Sequence, residues 1–185
     1  MALERGPGAR GPNSLGKARF SGCGLYRWWL LRRWDAALPP LLFIGLNPSM
    51  ADGRRDDPTL RRLVGLARGW GFGSLEVLNL YSRISASPSL LRRVDDPVGA
   101  PNDHWLRRRL ALQPQAVVWA GWGAGGGLDA GRLAQLAPLL RTRRLHAVGV
   151  TASGDPRHPL YVPATAVLQR WSWRDPLALG HPGQT

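Results

Sequence analysis

Cysteine is almost missing from this chain: Cys23 stands alone among 185 residues. A single thiol excludes an intrachain disulfide framework, a four-cysteine zinc site and a cysteine-ligated iron–sulfur cluster. Lysine is as scarce, Lys17 being the only one among 25 basic residues, which face 12 acidic ones. Long apolar runs are missing as well. No stretch approaches the roughly 20 residues that cross a bilayer, and the first residues lack a signal-peptide core. A soluble, cytoplasmic protein with no membrane partner is therefore expected. Neither a Gly-Lys-Ser/Thr phosphate loop, nor a dinucleotide fingerprint, nor a Ser elbow, nor a Cys–His pair occurs.

What is present is a chain rich in Arg, Gly, Ala, Leu and Pro, with net charge +13 and nine tryptophans. A hydrophobic share of 44% supports a real core, and the length suits one domain of about 150 residues with tails. Clustered cations suit a phosphate backbone, because they release its counterions. GC-rich coding yields the same arginine excess, so the charge speaks to association and not to fold. Residues 1–24 are rich in Gly, Pro, Ser and Arg without any period and read as a flexible tail; residues 174–185 read as a second. Residues 25–173 between them form a single α/β domain.

Four apolar runs, Leu41–Leu46, Leu75–Leu80, Ala116–Ala120 and Leu145–Val150, are short and nearly free of charge, as strands covered on both faces are. Helical stretches alternate with them. The clearest begins at Asp56 or Asp57 as cap, with Pro58 in the first turn and Leu60, Leu63, Val64 and Ala67 on one face. The alternation predicts a three-layer α/β/α sandwich around a central, mostly parallel four-stranded sheet. Tyr26–Trp34 adds a strand at its edge, and a last helix is expected from Pro163 to Trp171.

Ligands of an open parallel sheet bind beyond the carboxyl ends of its strands. The polar and glycine-rich oddities of this chain fall there. Asn47, fixed by Pro48, can orient a water or form an Asx turn, and Gly45 lets a ligand approach the backbone. Asn79 interrupts an apolar strand, where its amide needs a partner: a neighbouring loop or the edge of a base. His158 can donate to a leaving group or cap a turn. Gly121–Gly127 can cradle a phosphate or form a loose turn. Trp70, Trp119 and Trp122 lie near enough to this rim to stack on a ligand. The aspartates at 56, 57, 95, 96 and 103 have no His at ligand spacing, so no metal is expected.

Several segments have a collective likeness. "YRWWLLRRWD", "FIGLNPSMAD", "DDPTLRRLVGLARGWGFGSLEVLNLYS", "DPVGAPND" and "DPRHPLYVP" resemble the bacterial domain-of-unknown-function family 1643, from about Tyr26 to Trp171. "GLNPS" is also similar to the first motif of the uracil-DNA glycosylase superfamily, "EVLN" to its base-reading strand, and "RHPLY" to its second motif. That resemblance implies a uracil-DNA glycosylase-like fold and hydrolysis of an N-glycosidic bond in DNA, without cofactor or iron–sulfur cluster, by a monomer. It assigns the water to Asn47, the base edge to Asn79, the departing base to His158 and a wedge to Leu160. Gly45, Leu46, Pro48, Ser49, Tyr81 and Arg157 complete the expected binding set. Ser49 stands where the motif has Gly, and the short spacing to Leu160 lets either His158 or Asp155 hold the histidine's position. A non-catalytic nucleic-acid or nucleotide-binding module, or a small-molecule hydrolase, would use the same rim.

Overall fold

The computed structural model describes residues 15–52, 54–124 and 130–172; the expected tail at 174–185 and Gly125 to Gly127 lie outside them. Seven strands form one sheet: β1 (Leu15–Phe20), β2 (Arg27–Arg33), β3 (Pro40–Gly45), β4 (Ser74–Asn79), β5 (Val117–Ala120), β6 (Leu145–Ala147) and β7 (Gln169–Arg170). Their order across the sheet is β1-β2-β4-β3-β5-β6-β7. The four strands expected from the apolar runs are the mutually parallel centre, β4-β3-β5-β6.

The expected four-stranded sheet is too small. β1, β2 and β7 extend it on both sides by antiparallel pairing. β1 falls inside the expected N-terminal tail, yet it pairs with β2 along its whole length. Its Gly and Arg content hid it, and its partner, not its own burial, holds it. Consequently β2 is not the edge strand; β1 is, with Lys17 and Arg19 exposed on it. The expected helix from Pro163 is absent as well: residues 163–168 are irregular and lead into β7, which pairs with His146 and Ala147.

Side-chain parity builds the two outer layers. Leu41 and Phe43 of β3 join the core beneath α1 (Pro58–Gly69), whose Leu60, Leu63, Leu66 and Ala67 are buried. Leu42 and Ile44 point the other way, to α3 (Asn102–Leu112) and α4 (Ala130–Arg141), through Leu106, Leu110, Leu136 and Leu140. A four-residue helix, α2 (Pro88–Leu91), precedes α3. Asp57 starts α1 by accepting from the Leu60 N–H at 2.8 Å, and Gly71, at φ +83°, ends the segment in the left-handed region.

Arginine does structural work throughout. On β4 the buried Glu76 accepts from Trp29 Nε1 at 2.6 Å and from Arg109 at 2.6 and 2.5 Å. Arg132, a buried residue of α4, donates to the Leu80 carbonyl at 2.8 Å and to Asp103 at 2.5 Å. Arg143 closes the end of α3 through the carbonyls of Leu110 and Gln113. Part of the positive charge is thus committed to the fold. Among the described residues no helix is long and apolar enough to cross a membrane.

Candidate functional site

The strand ladder between β3 and β4 continues past their ends: Leu80 and Tyr81 N–H groups donate to the Gly45 and Leu46 carbonyls, both at 2.9 Å. At Asn47 the chain leaves the sheet. Its Nδ2 donates to the carbonyls of Ser85 at 2.9 Å and Pro48 at 3.1 Å. Two carbonyl partners fix the amide's orientation, because only the NH2 end can donate. Oδ1 has no partner among the described residues, and Asn47 lines a cavity of about 380 Å³. The amide is thus a positioned acceptor.

Asp57 holds the loop that follows. Its Oδ2 accepts from the Ser49 hydroxyl and from the Ala51 N–H, the latter at 2.9 Å, while Oδ1 caps α1. Arg27, buried beneath, donates to the Ala51 carbonyl at 2.7 Å. Burial pushes its guanidinium down to about 10, against the pull of nearby Asp57. Arg32 ties in the far end through the Asp52 carbonyl and the Asp56 carboxylate.

The opposite wall is residues 155–161. Gly123, at φ +70°, donates its N–H to the Pro156 carbonyl at 2.8 Å, and a Cβ there would stand 3.2 Å from His158 Cβ. A Cβ on Gly121 would meet the Phe43 ring at 2.4 Å. Gly123 thus permits close packing of the histidine segment, and Gly121 that of the Phe43 ring. His158 opens a single 3₁₀ turn, Pro159–Tyr161, and its Nδ1 accepts from the Leu160 N–H at 3.4 Å. Burial lowers its pKa below the ordinary histidine value. The ring is therefore neutral near pH 7, with its proton on Nε2.

Leu46, Asn47, Ser49, His158 and Leu160 of the expected set line this one cavity. Pro48, between Asn47 and Ser49, is buried and does not line it. The remainder lie elsewhere. Asn79 pairs with Gly45 and is buried on the α1 face, its Nδ2 3.0 Å from where a Gly45 Cβ would sit; the Phe43 ring is 2.9 Å from that same point. The space over Gly45 belongs to Phe43 and Asn79, so the expected ligand approach there is closed. Tyr81 joins the core on the opposite face. Arg157 is exposed and donates to the Val150 carbonyl at 2.8 Å. Asp155 accepts from Ser153 at 2.8 Å in a tight turn, which leaves His158 as the residue at the cavity. Trp119 is fully buried, and only Trp122 of the three expected tryptophans lines the site.

The sequence reading missed Thr59, Ser85, Ala86 and Ser87, which complete the lining with Tyr161. The only signal was a serine-rich stretch before Pro88. Among the described residues, every side chain that lines the cavity is neutral. Among the described residues no three His, Cys, Asp or Glu side chains converge as metal ligands would. The family model described as "Protein of unknown function (DUF1643)" matches residues 27–160. No curated protein matches the chain.

Proposed function

The chain therefore belongs to the DUF1643 family, and from that premise we propose that it is a uracil-DNA glycosylase-like enzyme that excises a modified base from DNA. One observation carries the reading: Asn47, whose Oδ1 has no partner among the described residues, and the neutral His158 share a single cavity whose described lining is uncharged. The order β4-β3-β5-β6, with that cavity at the carboxyl rim of parallel strands, gives support of a general kind. A volume of about 380 Å³ suits a small heterocycle, and a lining without charge among the described residues suits a neutral one.

The chemistry asks little of ionised groups. The bond between the base nitrogen and C1′ breaks, and its electron pair leaves with the base. The sugar becomes oxocarbenium-like and takes the oxygen of a water, which gives up a proton to solvent. Asn47 Oδ1 accepts from that water and holds it in line; an amide cannot take the proton, so a slow enzyme is expected. His158 Nε2–H donates to the charge growing on the base, which solvent then protonates. Reading of the base edge falls to Ser85 and Ser87, since Asn79 stands outside the cavity. An extruded nucleotide is required to reach these groups.

The test incubates the protein with duplexes that carry uracil, hypoxanthine, or an oxidised or alkylated base, followed by alkali. Strand cleavage at one of these lesions is the expected outcome; intact strands with every lesion overturn the enzymatic reading. A non-catalytic binding module is the second reading, favoured by the lack, among the described residues, of any carboxylate along the cavity that could act as a base. It predicts lesion binding without cleavage.

A further inference from the structure

At the amino end of β6, away from the rim described above, arginines surround a second cavity of about 280 Å³. Arg141 ends α4, Arg143 and Arg144 form the turn into β6, and Arg170 comes from β7, whose pairing with His146 brings it beside that turn. From Ala130 to Gly154 the sequence holds no Asp or Glu. Arg143 is committed to the α3 carbonyls. Arg144 and Arg170 are exposed, and among the described residues neither guanidinium has a hydrogen bond or an acidic partner. Elsewhere an exposed pair is compensated: Arg107 faces Asp103 at 4.0 Å, and Arg108 lies 5.9 Å over the Trp105 ring.

Like charges gathered around a concavity favour an anion there, and among the described residues Arg144 and Arg170 face no carboxylate. The concavity is also fixed in shape. Trp171 forms part of its wall, with its N–H held by the Leu145 carbonyl at 2.9 Å and its ring edge-on to Trp122 at 5.6 Å. Planar guanidinium forks match the oxygens of a phosphate.

We propose that this cavity binds a phosphate group, supplied by a small free phosphate compound or by the backbone of a nucleic-acid strand. The inference does not rest on base excision, since it uses other residues at the other end of the sheet. The full chain is titrated with inorganic pyrophosphate by calorimetry and, separately, with a lesion-free DNA strand of about 20 nucleotides at several salt concentrations. An Arg144→Gln/Arg170→Gln variant is compared with an Arg19→Gln/Arg33→Gln control, which removes equal charge from the β1–β2 edge. Pyrophosphate binding weakens at least tenfold in the first variant alone. If a strand backbone is the source, the slope of log K against log salt also falls by about one to two in that variant alone; an unchanged slope assigns the site to the small compound. Equal binding by both double variants, or no binding of either probe by the unaltered protein, overturns the proposal. Arg144→Gln alone, at an exposed turn, repeats the test without touching β7.

Discussion

β3 and β4 run side by side and in register, and each delivers an asparagine near its carboxyl end. Asn47 reaches the cavity with an acceptor that has no partner among the described residues; Asn79 is sealed on the α1 face beneath Phe43 and Gly45. The register explains the difference. Asn79 lies opposite Gly45, two residues short of the level of Asn47, a step of about 6.6 Å along a strand. An amide at a strand end is a candidate for chemistry only when it clears the last rung of the ladder. Below that level the same group becomes core.

The comparison can be broken most severely at β4 itself. Glu76→Ala strips the carboxylate from Trp29 and Arg109 and leaves a partly buried guanidinium without its ion-pair partner. Urea denaturation is expected to show a loss of about 3–5 kcal/mol; a loss under about 1 kcal/mol would mean that this network does not anchor the strand. Next comes the pair of asparagines. Asn47→Ala is expected to lower excision about 100-fold, whereas Asn79→Ala costs about 1–3 kcal/mol of stability and leaves excision within a few-fold. The reverse pattern in single-turnover rates would return base reading to Asn79.

Smaller effects sharpen the same contrast. Gly45→Ala and Gly121→Ala each push a methyl into Phe43, at 2.9 and 2.4 Å, and are expected to cost about 1–3 kcal/mol, with Gly121 the worse. Replacement of Phe43 by Leu in a double-mutant cycle relieves both, a coupling that ligand-approach glycines would not show. The smallest effect is a titration. Burial disfavours the charged ring of His158, so the folded protein binds its proton more weakly than the unfolded chain does. That contribution to stability is present above the ordinary value of about 6.5 and is lost as pH falls through the lowered one. Histidine NMR shifts are expected to place its midpoint below 6.5; a midpoint above 7 would contradict the neutral donor.

The centre of the fold was legible because four apolar runs each carry enough burial to declare themselves. The cap at Asp57 and Pro58 was equally plain, and so were Asn47 and His158 as polar residues beyond strand ends. β1 was not, because Leu15–Phe20 is held by pairing with β2 and not by an apolar pattern of its own. β7 is two residues long and leaves no periodic trace. The role of Asn79 depends on register between strands about 30 residues apart in sequence, which local spacing cannot convey. The serines at 85 and 87 look like any loop until the fold brings them beside Asn47.

Lys17 sits exposed on β1, the outermost strand, and is the only lysine of the chain. An amine-directed dye or resin therefore finds one ε-amine, three strand spacings, or roughly 14 Å, from β3. Attachment through that ε-amine holds the molecule by its β1 edge, three strands away from the strand that leads to Asn47.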